Sequence, residues 1–488
     1  MDPAPSPSAS SAEPAPLSAS RDLKLLGLVL LVAALLRVFL LVSYSEVEPI
    51  GDQLAYIGGA EELLAGEPYT GARGPAYSAY LALCWTFGGE DTTNLLAPRI
   101  GNLLLSLAFI VLVWAFGRRL VGPRVGLLAA GVIALHPNYA SFPIYLLSEH
   151  LYLVCLASGL LLAVHSLSAH WRVAFAAGLT LGLGVLTREM LVWFVPVLAL
   201  LLVSLSRADL ARALTKALAL VCGAALVILP WSVTSSSIHD EFVLVGFADG
   251  VPLFEGNFVP PPVLRRDTGK WKGRPVKQVR WNLFKEFNRT GARTKLAQNE
   301  RYRERAWQSI ADRQPAWIFE KLSSNAPSLV RPSTQTPELW GESASSSGEA
   351  LTRTWMLGFV LASYLLLYVL LPFGLARWKL FGPALIPLTY VGFAFGVHVV
   401  ANAGPMRFQM PHEWILILAA ATAVCGSGPI KRWVALPLVV LVLALQLGAL
   451  SSWTELGRTL VTGEQTSYQD WEEEAQPFLE QDRLRRGD

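Results

Sequence analysis

LGLVLLVAALLRVFLLVSYSEVEPIGDQLAYIGGAEELLAGEPYTGARGP, Leu26–Pro75, passes without a break from hydrocarbon to charge. Up to Val42 the only ionisable side chain is Arg37. From Val47 onward there are five carboxylates, interspersed with glycines and prolines. A run of roughly 20 apolar residues matches the hydrocarbon slab as a helix. In lipid every backbone N–H must be paired within the segment, so the first half reads as a membrane-spanning helix. The second half reads as a polar loop against its end. Leu54, Ile57, Ala60 and Leu64 share one helical face, fit for lying on the membrane, while Asp52 and Tyr56 share another. Asp52 is open to two readings: an N-terminal cap for that short helix, or a functional carboxylate.

The rest of the chain repeats the first half. Of 488 residues 53% are hydrophobic and only 16% charged, where a water-soluble chain carries nearer a quarter. Hydropathy places about eleven spans, near 25–44, 95–116, 125–142, 147–165, 171–187, 190–206, 214–234, 353–372, 381–400, 412–426 and 433–451. The expected fold class is therefore an all-α integral membrane protein. Residues 1–20, rich in Pro, Ala and Ser, read as a disordered tail. The membrane domain is expected over 21–452, with polar loops at 46–94 and 235–352 and an acidic tail at 453–488. Arg118, Arg119, Arg124, Arg172, Arg212, Arg377 and Lys431 fall in short loops on one side. The positive-inside rule makes that side cytoplasmic, so the N-terminus lies inside and the two long loops and the tail lie outside. The larger loop is basic, with 17 Lys/Arg against 6 Asp/Glu between Pro261 and Arg331. Tyr302, Ala306, Trp307 and Ile310 form an apolar stripe there, fit for a membrane surface.

Several function classes drop out. A net charge of +3 is too small to imply nucleic acid. The four cysteines (Cys84, Cys155, Cys222, Cys425) are scattered and include no C-x-x-C, so neither a disulfide framework nor a Cys-based metal site is expected. No H-E-x-x-H or comparable ligand set occurs, and no metal is expected. Gly178, Gly182 and Gly184 read as helix-contact residues rather than a nucleotide loop, since no strand precedes them.

The candidate functional groups sit in the outer loops and at span ends. Arg73 is the only Lys or Arg in the first outer loop; it is either a surface arginine or a clamp on a phosphate or sugar oxygen. Glu149 sits beside His150 at the outer end of a span, and Arg188 ends another. Arg37, inside the first span, must snorkel, pair with a carboxylate or face a polar cavity.

These pieces, in this order, resemble the GT-C glycosyltransferases, most closely the branch of the protein O-mannosyltransferases and the lipid A aminoarabinose transferase. The motifs are Asp52, Tyr56, Gly66, Pro75 and Tyr77 in the first loop, and Ser148-Glu149 at a span end. They continue with Leu186-x-Arg188 after the Gly-rich span and Pro230-Trp231 opening the large loop. Gly250, Gly256 and Asn257 follow within it, and Arg407-Phe408-x-x-Pro411 comes late in the chain. Gln53 stands where many relatives carry a second acid, and Phe408 where Tyr is usual. The resemblance implies a GT-C bundle with amphipathic helices in the first loop. It implies transfer of a sugar from a polyprenyl-phosphate carrier to an acceptor hydroxyl on a glycan, lipid or protein, outside the cytoplasm. The expected setting is a bacterial inner membrane. Asp52 would be the general base. Arg73, Arg188, Arg407, Tyr56, Tyr77 and Glu149 would hold the donor's phosphate and sugar, with Arg37 and Asn257 as further candidates, and no cofactor is needed. The rival class is a transporter or flippase of lipid-linked sugar, which would need charged groups lining a mid-membrane path.

Overall fold

The computed structural model describes residues 19–45, 47–89, 91–206, 209–257, 294–330, 332, 347–378, 382–401, 409–426, 429–450 and 454. Most of the N-terminal tail, nearly all of the acidic C-terminal tail, and Arg407 with Phe408 lie outside them. All regular structure among the described residues is helical. Each of the eleven apolar runs falls on a helix or a helix pair. Five are long and apolar enough to cross a membrane: α1 (Ala19–Ser43), α4 (Leu96–Leu120), α7 (Glu149–Ser166), α10 (Leu210–His239) and the Met356–Arg377 part of α14 (Ser347–Arg377). A sixth is a broken pair, α5 (Pro123–Leu135) with α6 (Pro137–Ser141), bent by 63°. Shorter apolar helices make up the rest: α8 (Trp171–Thr187), α9 (Phe194–Leu205), α15 (Leu385–Val400), α16 (Met410–Cys425) and α17 (Arg432–Gly448).

The polar loops fold into smaller helices. These are α2 (Asp52–Leu64), α3 (Ala76–Gly88), α11 (Gly250–Asn257), α12 (Lys295–Ala311) and α13 (Ala316–Ser328). Hydrogen bonds gather the basic loops at one end of the bundle. Arg118 at the end of α4 lies 3.4 Å from the buried Asp22 of α1. The Lys216 ammonium donates to the carbonyl of Leu167, and Arg377 donates to that of Thr422. The Asp52 loop, Glu149 and Arg188 lie at the other end. The core runs between α4, α5, α7, α8 and α16, where Phe109, Phe116 and Trp414 meet edge to face. Gly178 and Gly182 do press on the backbone of α10, as the spacing suggests; a Cβ on Gly182 would lie 2.9 Å from the carbonyl oxygen of Ala224.

The break between α5 and α6 follows from sequence. His136 precedes Pro137 and is pushed into extended backbone (φ −64°, ψ 121°). Tyr139 O would be bonded by the N–H of residue 143, but Pro143 has none. Arg37 answers these orphaned carbonyls. Its guanidinium donates to Ala134 O (2.9 Å), Tyr139 O (3.2 Å), Ala33 O (3.2 Å) and Ser106 Oγ (2.8 Å), and the side chain is fully buried. The hydrogen bonds of Arg37 thus go chiefly to backbone, an arrangement outside the three foreseen for it. Leaving a buried carbonyl unpaired costs about 1–3 kcal/mol. Arg37→Leu is therefore expected to destabilise the protein by about 3 kcal/mol or more, read as a lower thermal midpoint in detergent. A midpoint within a degree of wild type would remove this role.

Candidate active site

The site is built on α2 and the loop that follows it. Gly51, at φ 56°, turns the chain into α2, and Asp52 is the first helical residue. Gly51, not Asp52, holds the N-cap position of α2. The face of α2 that packs inward is Gln53, Tyr56, Gly59 and Ala60. Of the apolar face expected to lie on the membrane, Leu54 is exposed and Ala60 alone is buried. The reason is α3, whose Ser78 hydroxyl donates to Tyr56 O (3.0 Å) and whose Tyr77 ring meets that of Tyr56 edge-on at 5.0 Å. Gly59 lets the Tyr69 ring lie against the helix; a Cβ there would also sit 2.9 Å from Ser78 Oγ.

Asp52 Oδ1 accepts a hydrogen bond of 2.7 Å from Arg73 Nη2, and both side chains are about 30% exposed (29% and 32%). The Arg73 guanidinium lies 5.4 Å from the centroid of the Tyr56 ring, a cation–π contact. The Tyr56 hydroxyl donates to Ser148 Oγ at 3.2 Å. Burial raises the pKa of Tyr56 above the ordinary phenol value and pushes that of Tyr69 to about 12, so both phenols stay protonated in the physiological range. Ser148 precedes Glu149, the first residue of α7. The Glu149 carboxylate receives Arg188 Nη2, and Arg188 lies 5.5 Å over the Tyr152 ring. Glu149 is 1% exposed and its second oxygen, Oε2, is buried without a hydrogen-bond partner. The Tyr152 and Tyr390 hydroxyls share a hydrogen bond of 2.9 Å. A continuous polar path therefore runs from Asp52 through Arg73, Tyr56 and Ser148 to Glu149 and Arg188.

Above this path is an open cleft of about 390 Å³, lined by Asp52, Tyr56, Glu62, Tyr69, Arg73 and Lys295 among others. Glu62 braces the cleft wall by accepting from the backbone N–H (2.8 Å) and hydroxyl (2.7 Å) of Thr70. Groups of three or more His, Cys, Asp or Glu side chains able to hold a metal are absent among the described residues.

Of the residues singled out from sequence, Asp52, Tyr56, Arg73, Tyr77, Glu149 and Arg188 come together here. Tyr77 supports rather than lines the site: it is buried, and its hydroxyl pairs with the amide of Asn102 (3.0 Å). Arg37 is committed to the α5–α6 break. Asn257 is a clasp elsewhere, donating to Leu253 O and Val400 O (2.8 Å each) and accepting from Trp317 Nε1 (2.8 Å). Three residues were not foreseen. Gln53 accepts the backbone N–H of Leu146 (2.8 Å) through its amide oxygen, a structural use of the position where relatives carry an acid. Arg99 donates to the carbonyls of Ile144 (3.0 Å), Ser45 (2.6 Å) and Val47, fixing the entry to the Asp52 loop. Glu189 brings its carboxyl against Gly246, beside the backbone of Ala72.

Residues 73–233 match the dolichyl-phosphate-mannose-protein mannosyltransferase family, a span that begins at Arg73 and takes in Glu149 and Arg188. The fold agrees with that of the apo oligosaccharyltransferase of Archaeoglobus fulgidus, at TM-score 0.50 and 14% identity. That alignment covers 91% of this chain and 56% of the archaeal one. The chain spans little more than half the length of the archaeal structures it matches. One of those, the A. fulgidus oligosaccharyltransferase AglB in complex with an inhibitory peptide and a dolichol-phosphate, aligns at 13% identity and TM-score 0.45 (89% of this chain, 55% of that one). ArnT from Cupriavidus metallidurans, bound to undecaprenyl phosphate, aligns at 16% identity and TM-score 0.39 (82% and 78%). No curated protein matches this chain in sequence.

Proposed function

We propose that this protein transfers a sugar from a polyprenyl-phosphate carrier to an acceptor hydroxyl at the extracytoplasmic face of a bacterial inner membrane. The observation that carries the reading is Asp52, paired with Arg73 in the lining of an open cleft, with Tyr56 of the same cleft bonded to Ser148, the residue before the Glu149–Arg188 pair. The matched family's own description, a mannosyltransferase using dolichyl phosphate mannose, supports the donor class. Asp52 takes the acceptor's proton as general base. The phosphate leaves without protonation because fixed cations hold its growing charge. Arg73 and Arg188 are those cations, and Arg407 is a further candidate. One base with a pre-activated leaving group gives single displacement with inversion, since a covalent intermediate needs a second carboxylate set close to the first.

A transferase releases free polyprenyl phosphate; a flippase of lipid-linked sugar releases none. Purified protein supplied with a polyprenyl-phosphate sugar and an acceptor extract is expected to release it, and to do so equally in EDTA. Movement of intact donor across a vesicle without release would favour the flippase. Activity lost to EDTA and restored by a divalent ion would overturn the metal-free scheme.

A further inference from the structure

The two outer loops meet at the segment that carries Arg73, and Trp231 joins them. Trp231, of the Pro230-Trp231 pair, lies toward the C-terminal end of α10. Its indole N–H donates to Val245 O at 2.6 Å. The Ser232 hydroxyl donates to Val243 O (2.9 Å), and Val243 N–H donates to the Ser236 hydroxyl (3.0 Å). α10 thereby holds the start of the large loop, where Val243, Val245 and Phe247 are all buried. That stretch then reaches the first loop: Phe247 N–H donates to Ala72 O at 2.8 Å, next to Arg73. Gly246 permits the approach, since a Cβ there would lie 2.6 Å from Ala72 O. Trp231 also meets the first loop directly, its ring edge-on to that of Tyr69 at 5.6 Å. Tyr69 fills a notch left by Gly59 and Gly71, where a Cβ on either would collide with its ring.

Arg73 thus stands on a segment held from several sides. Tyr69 rests on Trp231, Thr70 is bonded twice to Glu62, and Ala72 is bonded to Phe247. Gly74 is pressed on the backbone of Leu186, with no room for a Cβ. Two of these anchors depend on Trp231, one through its ring and one through its N–H. The Asp52–Arg73 pair cannot supply such rigidity, because a partly exposed ion pair holds a long side chain only weakly. Yet a misplacement of about 1 Å in a group that meets the reacting atoms can cost 10²-fold in rate. We propose that Trp231 is a positioning residue, which aims Arg73 by fastening the large outer loop and the first outer loop into one wall of the cleft. Both loops line that cleft, the first through Tyr69 and Arg73 and the large one through Ala248. This rests on the reading of Arg73 as a cation for the leaving phosphate.

Trp231→Phe keeps a ring beside Tyr69 and removes the N–H to Val245 O. Hydrogen exchange on the full-length protein in detergent, without substrate, reads the first consequence. The amides of 69–74 and of 243–247 are expected to exchange about two- to tenfold faster, the range that one lost hydrogen bond gives. Those of α7, which carries Glu149, are expected to keep their wild-type rates. Binding of undecaprenyl phosphate reads the second. Trp231→Phe is expected to weaken it about fivefold when Arg73 is present and less than about twofold in Arg73→Gln, where the arginine to be aimed is gone. Unchanged exchange in 69–74 overturns the proposal. So does an equal loss of binding in both backgrounds, the mark of a residue that acts on the fold alone. Arg73→Gln by itself decides the underlying reading: full binding and turnover in that variant would remove Arg73 from the mechanism, whatever the exchange shows.

Discussion

Asp52→Asn is expected to lower sugar transfer by about 10²–10⁴-fold, the range that a positioned general base supplies, while leaving the protein folded. Both halves of that expectation follow from the site. Asparagine has the shape of aspartate and still accepts a hydrogen bond from Arg73, but it cannot take a proton from an alcohol. The fold does not depend on the charge. Asp52 is not the N-cap residue of its helix, and its ion pair is about 30% exposed (29% and 32%); pairs of that exposure contribute about 0–1 kcal/mol. The helix that carries it is held instead by Tyr56, Gly59 and Ala60 against α3, and by Gln53 on the N–H of Leu146. The variant should therefore match wild type in thermal midpoint and in binding of undecaprenyl phosphate. Turnover within a few-fold of wild type would take Asp52 out of the mechanism. Asp52→Glu, which keeps the base but extends it by a methylene, should recover part of the rate.

The architecture was legible in the sequence because hydropathy reports on lipid directly. Eleven apolar runs lie on eleven helical segments, and even the irregular one, 125–142, carries its break as His136-Pro137. The partners of the site were legible only as an order of motifs. Asp52, Glu149 and Arg188 are far apart in the chain, and no local pattern says that Glu149 rather than Asp52 receives Arg188. Arg37 shows the limit most clearly. Its burial in a span signals a special role, but the role depends on which carbonyls lose their helical partners. Those are set by Pro137 and Pro143 in a different helix. The use of Gln53 was hidden for a related reason: its amide oxygen meets the Leu146 N–H, which only the folded loop presents.

The second large effect concerns Arg188, where stability and function can be separated. Glu149 is 1% exposed, and its charge is balanced by Arg188, itself 13% exposed. Removing one member of such a pair leaves a buried carboxylate without its counter-ion, which costs about 3–5 kcal/mol. Arg188→Gln should therefore lower the thermal midpoint sharply and reduce the yield of folded protein. In Arg188→Gln combined with Glu149→Gln the stranded charge is gone, and the amide at 149 keeps the shape of the glutamate. The double variant should regain most of the lost stability, because replacing both partners avoids the desolvation that stranding one imposes. Transfer should not return with it. If Arg188 steadies the leaving phosphate, the double variant is stable but inactive, with weakened binding of undecaprenyl phosphate. Should the double variant fold and transfer sugar at near the wild-type rate, the Arg188–Glu149 pair would be a structural strut, and the phosphate would have to be held by Arg73 or Arg407. A double-mutant cycle run on both readouts separates the two outcomes, since the coupling in stability is large on either view and the coupling in phosphate binding is not.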